Sequence, residues 1–195
     1  MRTKYHIGFS LEEGAISNKA IKSISQSQKY LKGLIGTQEI DPLYLSFGHV
    51  YIDDASEKIF VDKVHGLLEG IAESIPKSRG FIRGYDIIKE GEKSYVSIKF
   101  NLYKDDNIVE AICKVLEQHL QGFVRNQHLK YIKLIGVSSD KIDKLQKQDE
   151  KGDSVIMRIK YPPFFFFNRL DLFKISPAPK MEVEIVDKVA LSGKL

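Results

Sequence analysis

Two short strand-like segments each carry a pair of polar residues on one face that can hold a ligand. In Pro42-Leu43-Tyr44-Leu45-Ser46-Phe47-Gly48 and Lys130-Tyr131-Ile132-Lys133-Leu134-Ile135, a phenol stands two positions before a hydroxyl or an ammonium group. The period-two alternation of a strand puts Tyr44 with Ser46, and Tyr131 with Lys133, on one face, while Leu43, Leu45, Phe47, Ile132 and Leu134 face the other way. The hydroxyls can donate hydrogen bonds, and Lys133 adds a point charge. Tyr44, Ser46, Tyr131 and Lys133 are therefore the candidate ligand-binding residues, and Tyr44 and Tyr131 the candidates for any catalytic role. As proton carriers the phenols are weak, since an ordinary tyrosine pKa of about 10 leaves roughly one in a thousand ionised at neutral pH. The competing explanation is an ordinary solvated strand face, where Tyr, Ser and Lys are common.

Histidine is the side chain poised for proton transfer near neutrality. His49-Val50-Tyr51 and His128-Leu129-Lys130 are displaced from the two tyrosines by five and three residues. Odd displacements put both on the opposite strand face if the strands are regular, and a β-bulge is needed to bring one round. His6, beside Gly8 and Ser10, is a candidate lining residue of the same groove, with a capped or surface position as the alternative. His65 and His119 fall within helical patterns, and Arg125 and Lys130 are candidates for a positive rim. GxGxxG, GxxxxGK, HExxH and EF-hand patterns do not occur, which argues against P-loop hydrolysis, zinc proteolysis and calcium sensing. No metal site is expected.

The elements that must position these residues follow from periodicity. Alternation from Lys4 to Leu11 predicts a strand, and apolar residues from Ile16 to Leu34 predict a helix ending at Gly36, capped by Ser17 or Asn18. A second strand from Leu43 to Ile52 is followed by a helix from Ser56 to before Pro76. Runs Phe81 to Lys89 and Ser94 to Tyr103 around Glu90-Gly91-Glu92-Lys93 predict a hairpin. A third helix starts at Asp105 or Asp106 and runs towards Phe123, and a fifth strand spans Leu129 to Val137. Ser138 to Asp153 reads as a polar connection with a helical turn. Three β-like segments, Ser154 to Tyr161, Phe165 to Ile175 and Met181 to Leu191, are separated by Pro162-Pro163 and Pro177-Ala178-Pro179, because proline cannot donate to a ladder. Phe164 to Phe167 is expected as a buried β segment, too short to act as a membrane wedge.

Composition bounds the answer. At roughly 150 residues per domain, a chain of 195 residues is one large domain or two halves sharing a core. A hydrophobic content of 43% with 29% charged residues excludes a disordered or fibrous chain, and a net charge of +4 singles out no partner class. Cys113 is the only cysteine, so neither an intramolecular disulfide nor a Cys-rich zinc site can form, and a reducing cytoplasm is the expected compartment. The opening Met1 to His6 lacks the apolar core of a signal peptide and no apolar run approaches membrane-spanning length, so a soluble protein without a membrane partner is expected.

The element order, with two similar strands each in the middle of its half, resembles the 2H phosphoesterase superfamily, the 2′-5′ RNA ligase-like and cyclic phosphodiesterase proteins. These carry two His-x-Thr/Ser motifs on two such strands. The resemblance spans most of the chain, and Arg169-Leu170-Asp171-Leu172-Phe173-Lys174-Ile175-Ser176 looks like the family's late strand. It implies an α+β fold: one bilobal pseudo-two-fold domain over residues 1–195, with antiparallel sheets lining a central groove and helices packed outside. It also shows where the chain departs. Tyr44 and Tyr131 stand where the family's histidines stand, Ser46 keeps a family-like hydroxyl, and Lys133 replaces the second one.

Both motifs are thus degenerate. Because a positioned acid or base is worth about 10²- to 10⁴-fold, most of the family's activity should be lost. The resemblance implies a phosphorylated ligand, an RNA end or a cyclic or 2′-5′-linked nucleotide, bound without a cofactor. Two alternatives stay open. One is an active phosphodiesterase using Tyr and Lys in place of His and Thr. The other is a non-catalytic protein-interaction scaffold whose protein partner is unknown.

Overall fold

The alternating segments of the sequence form strands, and the 3.6-period segments form the helices between them. The computed structural model describes residues 2–11, 18–36, 42–102, 107–138, 140–143, 145, 164–176 and 181–193. In chain order these form β1 (Arg2–Ser10), α1 (Asn18–Ile35), β2 (Tyr44–Asp53), α2 (Glu57–Ser74), β3 (Ser78–Glu90), β4 (Lys93–Leu102), α3 (Ile108–His119), β5 (Val124–Arg125), β6 (Tyr131–Val137), β7 (Phe164–Phe167), β8 (Arg169–Ile175) and β9 (Val183–Ala190). α1 stops where Gly36 takes the left-handed conformation (φ 67°) and donates its N–H to the Lys32 carbonyl, the capping role glycine fills without a Cβ clash. The hairpin ladder runs to the Glu90–Lys93 pair, so Gly91-Glu92 alone makes the turn.

Two departures from the sequence reading have structural causes. The single strand expected over Phe165–Ile175 is two strands, β7 and β8, broken at Asn168 because they belong to different sheets. The two-residue β5 is too short to leave a periodic signal. The expected strand Ser154–Tyr161, the caps Ser17, Asp105 and Asp106, and most of the connection Ser138–Asp153 lie outside the described residues.

The strands form two antiparallel sheets, in the orders β5-β2-β1-β8-β9 and β6-β4-β3-β7. Their registers match rung by rung. In the first, Ser10 faces Tyr44, Gly8 faces Ser46, Phe47 is skipped, and His6 faces His49. In the second, Lys99 faces Tyr131, Ser97 faces Lys133, Leu134 is skipped, and Tyr95 faces Gly136. An approximate two-fold therefore relates β1 to β4 and β2 to β6, and each motif strand has a one-residue bulge immediately after its second motif residue.

Helices cross over between the lobes. α1 follows β1 but packs on β6, whereas α3 follows β4 but packs on β2 and β5; α2 covers β8 and β9. Each crossing helix serves the opposite bulge. Gln28 of α1 donates from Nε2 to the carbonyl of bulged Leu134 at 2.7 Å. The carbonyl of bulged Phe47 accepts the Asn126 N–H at 2.8 Å, and the Cys113 thiol of α3 lies 4.0 Å from it. Backbone groups that leave a ladder inside the protein need such partners.

Leu45, Phe47, Ile132 and Leu134, expected on the apolar faces, are fully buried. Phe9 of β1 packs edge-on against Phe47 (5.1 Å between centroids) and stacks on Phe167 of β7 (4.0 Å), so Phe167 is a core residue. The crossover from β7 into β8 is fixed by buried Asp171, which accepts from the Ser10 N–H (2.9 Å), the Ser10 hydroxyl and Arg169 Nε (2.7 Å). The swapped helices predict a specific cost. Gln28→Leu leaves the Leu134 carbonyl buried without this donor and should lower stability by about 1–3 kcal/mol, read as a lower urea midpoint at unchanged slope.

Candidate ligand-binding groove

A cleft of about 1010 Å³ opens between the lobes. Its first wall is the β1–β2 ladder, from which Lys4, His6, Tyr44, Ser46 and His49 line the space; the second is Lys133 of β6 with the β3–β4 hairpin tip, Glu90 to Tyr95. The segment Arg125-Asn126-Gln127 joins the two. It is pinned to the first wall, since Asn126 Nδ2 donates to the Ser46 carbonyl at 2.9 Å.

Of the four residues singled out by type and spacing, Tyr44, Ser46 and Lys133 line this cleft. Tyr131 lines an adjoining recess of about 760 Å³ with Lys99, His128 and Lys130. The Tyr131 hydroxyl donates to Asp86 of β3 at 3.2 Å. His128 precedes β6, where its ring meets that of Tyr131 edge-on at 6.1 Å. Arg125 is held by Glu110 of α3, at 2.9 Å through Nη1 and by a second contact through Nη2, with Glu117 at 3.8 Å. Its charge is therefore shared with α3 rather than offered wholly as a rim.

The skipped Phe47 changes the position of His49. A regular strand would turn it away from Ser46; with the bulge, His49 lies opposite His6 on the groove side. The two rings sit 5.8 Å apart, and His6 lies 5.7 Å from the Tyr44 ring and stacks on Phe173 at 5.4 Å. The signal was in the sequence as a phase slip: apolar positions Leu45 and Phe47 give way to Val50.

The hydrogen bonds fix the His6 tautomer. The Ser46 hydroxyl donates to the Gly48 carbonyl at 2.9 Å, so His6 Nδ1, at 3.2 Å from Ser46 Oγ, must be the donor of that pair, and Nε2 is left as the acceptor. Burial, followed by the charges of Lys4, His49 and Lys133, pushes His6 down to about 3. Burial and Lys4 also lower His49, with Glu90 opposing. The surrounding protein lowers Lys4, with Glu90 opposing and Lys133 adding to the shift. Lys133 Nζ is ion-paired with Glu90 and sits 4.8 Å from the Tyr95 ring centroid. Among the described residues, no group of three or more His, Cys, Asp or Glu is placed to hold a metal ion, and no helix is long and apolar enough to cross a membrane.

Two antiparallel sheets related by an approximate two-fold, with a groove between their motif strands, make up the fold. Solved structures, Escherichia coli LigT and Kluyveromyces marxianus Usb1 among them, share this fold over nearly the whole chain. The Thermus thermophilus protein TT0787 superposes with a TM-score of 0.63 at 13% identity, covering 98% of this chain and 100% of that one. Escherichia coli LigT complexed with NADP+ gives 0.56 at 11% identity, covering 98% and 99%. Kluyveromyces marxianus Usb1 gives 0.52 at 11% identity, covering 97% and 96%. No family model and no curated protein sequence matches the chain. At these identities the likeness is one of fold.

A histidine depressed to about 3 makes acidification destabilising, because below its ordinary pKa of about 6.5 the unfolded chain takes up a proton that the folded one refuses. Between pH 6.5 and 5, His6 should withdraw on the order of 2 kcal/mol of stability. Urea unfolding across that window should show the loss, and His6→Asn should flatten it.

Proposed function

We propose that the groove binds a phosphorylated ligand of nucleotide type, such as an RNA end or a cyclic or 2′-5′-linked nucleotide, without the family's two-histidine proton transfer. One observation carries the reading: Ser46 and Lys133, which occupy matching rungs of the two lobes, line the same cleft. They offer a phosphoryl group a hydroxyl from one side and a cation from the other. The lining charge agrees, with Lys4, Lys93, Lys133 and Lys141 against Glu90 and Glu92. Neighbours in fold support the ligand class, since Escherichia coli LigT is solved as complexes with NADP+ and 3′-AMP and Kluyveromyces marxianus Usb1 with uridine monophosphate.

The site chemistry favours binding over turnover. Tyr131 gives its hydroxyl to Asp86 in the neighbouring recess, which counts against an enzyme that uses the two tyrosines as acid and base. Phe167 is buried in the core, which counts against a partner-contact role for that residue. The whole chain from 1 to 195 is read as a single two-lobed domain.

Calorimetric titration with adenosine 3′-monophosphate, adenosine 2′,3′-cyclic phosphate and a 2′-5′-linked diadenylate tests the reading. Lys133→Ala should weaken binding by roughly tenfold or more, the worth of a hydrogen bond to a charged group, and Tyr44→Phe by less. Equal affinity in all three proteins, or none in any, removes the groove as the site. Opening of the cyclic phosphate above the background of a Tyr44→Phe/Tyr131→Phe double variant restores the enzyme reading.

A further inference from the structure

The cation offered to the ligand already has an anion. We propose that Glu90 is a built-in competitor for the ligand's phosphate: its carboxylate is paired with Lys133 and must leave before a phosphoryl group can take its place. The inference deepens the reading of the groove as a phosphate site and rests on it.

Three features of the hairpin tip carry it. Glu90 is the last ladder residue before the Gly91-Glu92 turn, where Gly91 takes a left-handed φ of 61°. That turn aims the tip into the cleft, which Glu90, Gly91, Glu92 and Lys93 all line. The two partners are also unequally held. The Lys133 side chain is 17% exposed and lies over the Tyr95 ring, whereas the Glu90 side chain is 46% exposed. The lysine is part of the wall, and the carboxylate is the half that can swing into water.

Glu90 also reaches beyond one lysine. Its charge opposes the lowering of both Lys4 and His49, so the carboxylate stands among the groups that would face an incoming anion. A carboxylate and a phosphate ask the same of an ammonium group, namely charge-assisted N–H···O contacts. The ligand therefore gains only the difference between its own contacts and those of Glu90. An ion pair whose carboxylate is half exposed is weak enough to be exchanged, so the tip tunes affinity without closing the site. It also discriminates, since an uncharged ligand neither competes with Glu90 nor is repelled by it.

The test compares wild type, Glu90→Gln, Lys133→Ala and the double variant by calorimetry, with adenosine 3′-monophosphate as probe and adenosine as its uncharged control. Glu90→Gln should bind the phosphate roughly three- to tenfold more tightly and leave adenosine unchanged. In the Lys133→Ala background the gain should shrink towards unity. If Glu90→Gln binds no better than wild type while Lys133→Ala is impaired, the groove reading stands and the competitor falls. An equal gain for adenosine also overturns the competitor, because the effect is then not one of charge. If neither wild type nor Glu90→Gln binds the phosphate, both readings fall together; binding by Glu90→Gln alone supports both.

Discussion

A strand whose side chains alternate strictly cannot show one face residues of opposite parity. The groove needs such a strand to do so, because Tyr44, Ser46 and His49 all line it. The bulge at Phe47 resolves the conflict by adding one residue to β2 against β1. The same device recurs at Leu134 in β6 against β4, and the rest of the architecture serves the two bulges. Their freed carbonyls are reached by helices that cross from the other lobe, by Gln28 in one case and by Cys113 beside the Asn126 amide in the other. The crossing of α1 and α3 thus makes each lobe's motif strand depend on the other lobe's helix. The close approach of the strands has a further cost in sequence. A Cβ at Gly8 would lie 1.9 Å from the Leu45 carbonyl oxygen, so the rung facing Ser46 in the first lobe must be glycine.

Burial and charge then act in opposite directions on the two walls. On the first wall, His6 is stacked on Phe173, bonded to Ser46 and pushed down to about 3. It is a neutral hydrogen-bonding group at any physiological pH and a poor base, since a group so far below neutrality has little appetite for a proton. On the second wall the corresponding rung is Tyr95, whose ring supports the Lys133 ammonium instead. The same fold position supplies an acceptor in one lobe and a seat for a cation in the other.

Much of the fold was legible because its signals are local. The opening strand, the hairpin, α1 to Gly36 and α2 between Ser56 and Pro76 follow from periodicity and punctuation alone, and the element order carried the likeness to a two-lobed fold. The missed features depend on partners remote in sequence. The break between β7 and β8 at Asn168 reflects two sheets competing for one apolar run. Tyr131 shares its strand face with Lys133, but Asp86, forty-five residues earlier, draws its hydroxyl into the neighbouring recess. The bulges lie between these cases. The doublet Leu134-Ile135 in the apolar run Ile132, Leu134, Ile135, Val137, and the jump from Phe47 to Val50, record the slip of phase in the sequence itself. Only its coincidence in both motif strands shows that it is one device used twice.

The distribution of chemistry over the two-fold bears on whether the groove reacts or only binds. Displacement at phosphorus runs roughly in line, so an acid and a base must stand on opposite sides of the phosphoryl group, and a pseudo-two-fold site meets that need with one proton carrier per lobe. Here both groove histidines belong to the first lobe and face each other across a single rung of the β1–β2 ladder. The matching rung of the second lobe is Tyr95 against Gly136, and Lys133, one rung pair away, is ion-paired with Glu90. A phosphate between these walls would meet Lys4, Ser46 and both histidines on one side and Lys133 on the other. On the proposed reading the asymmetry of the walls goes with recognition, because a bound phosphate would keep both histidines on one side and Lys133 on the other.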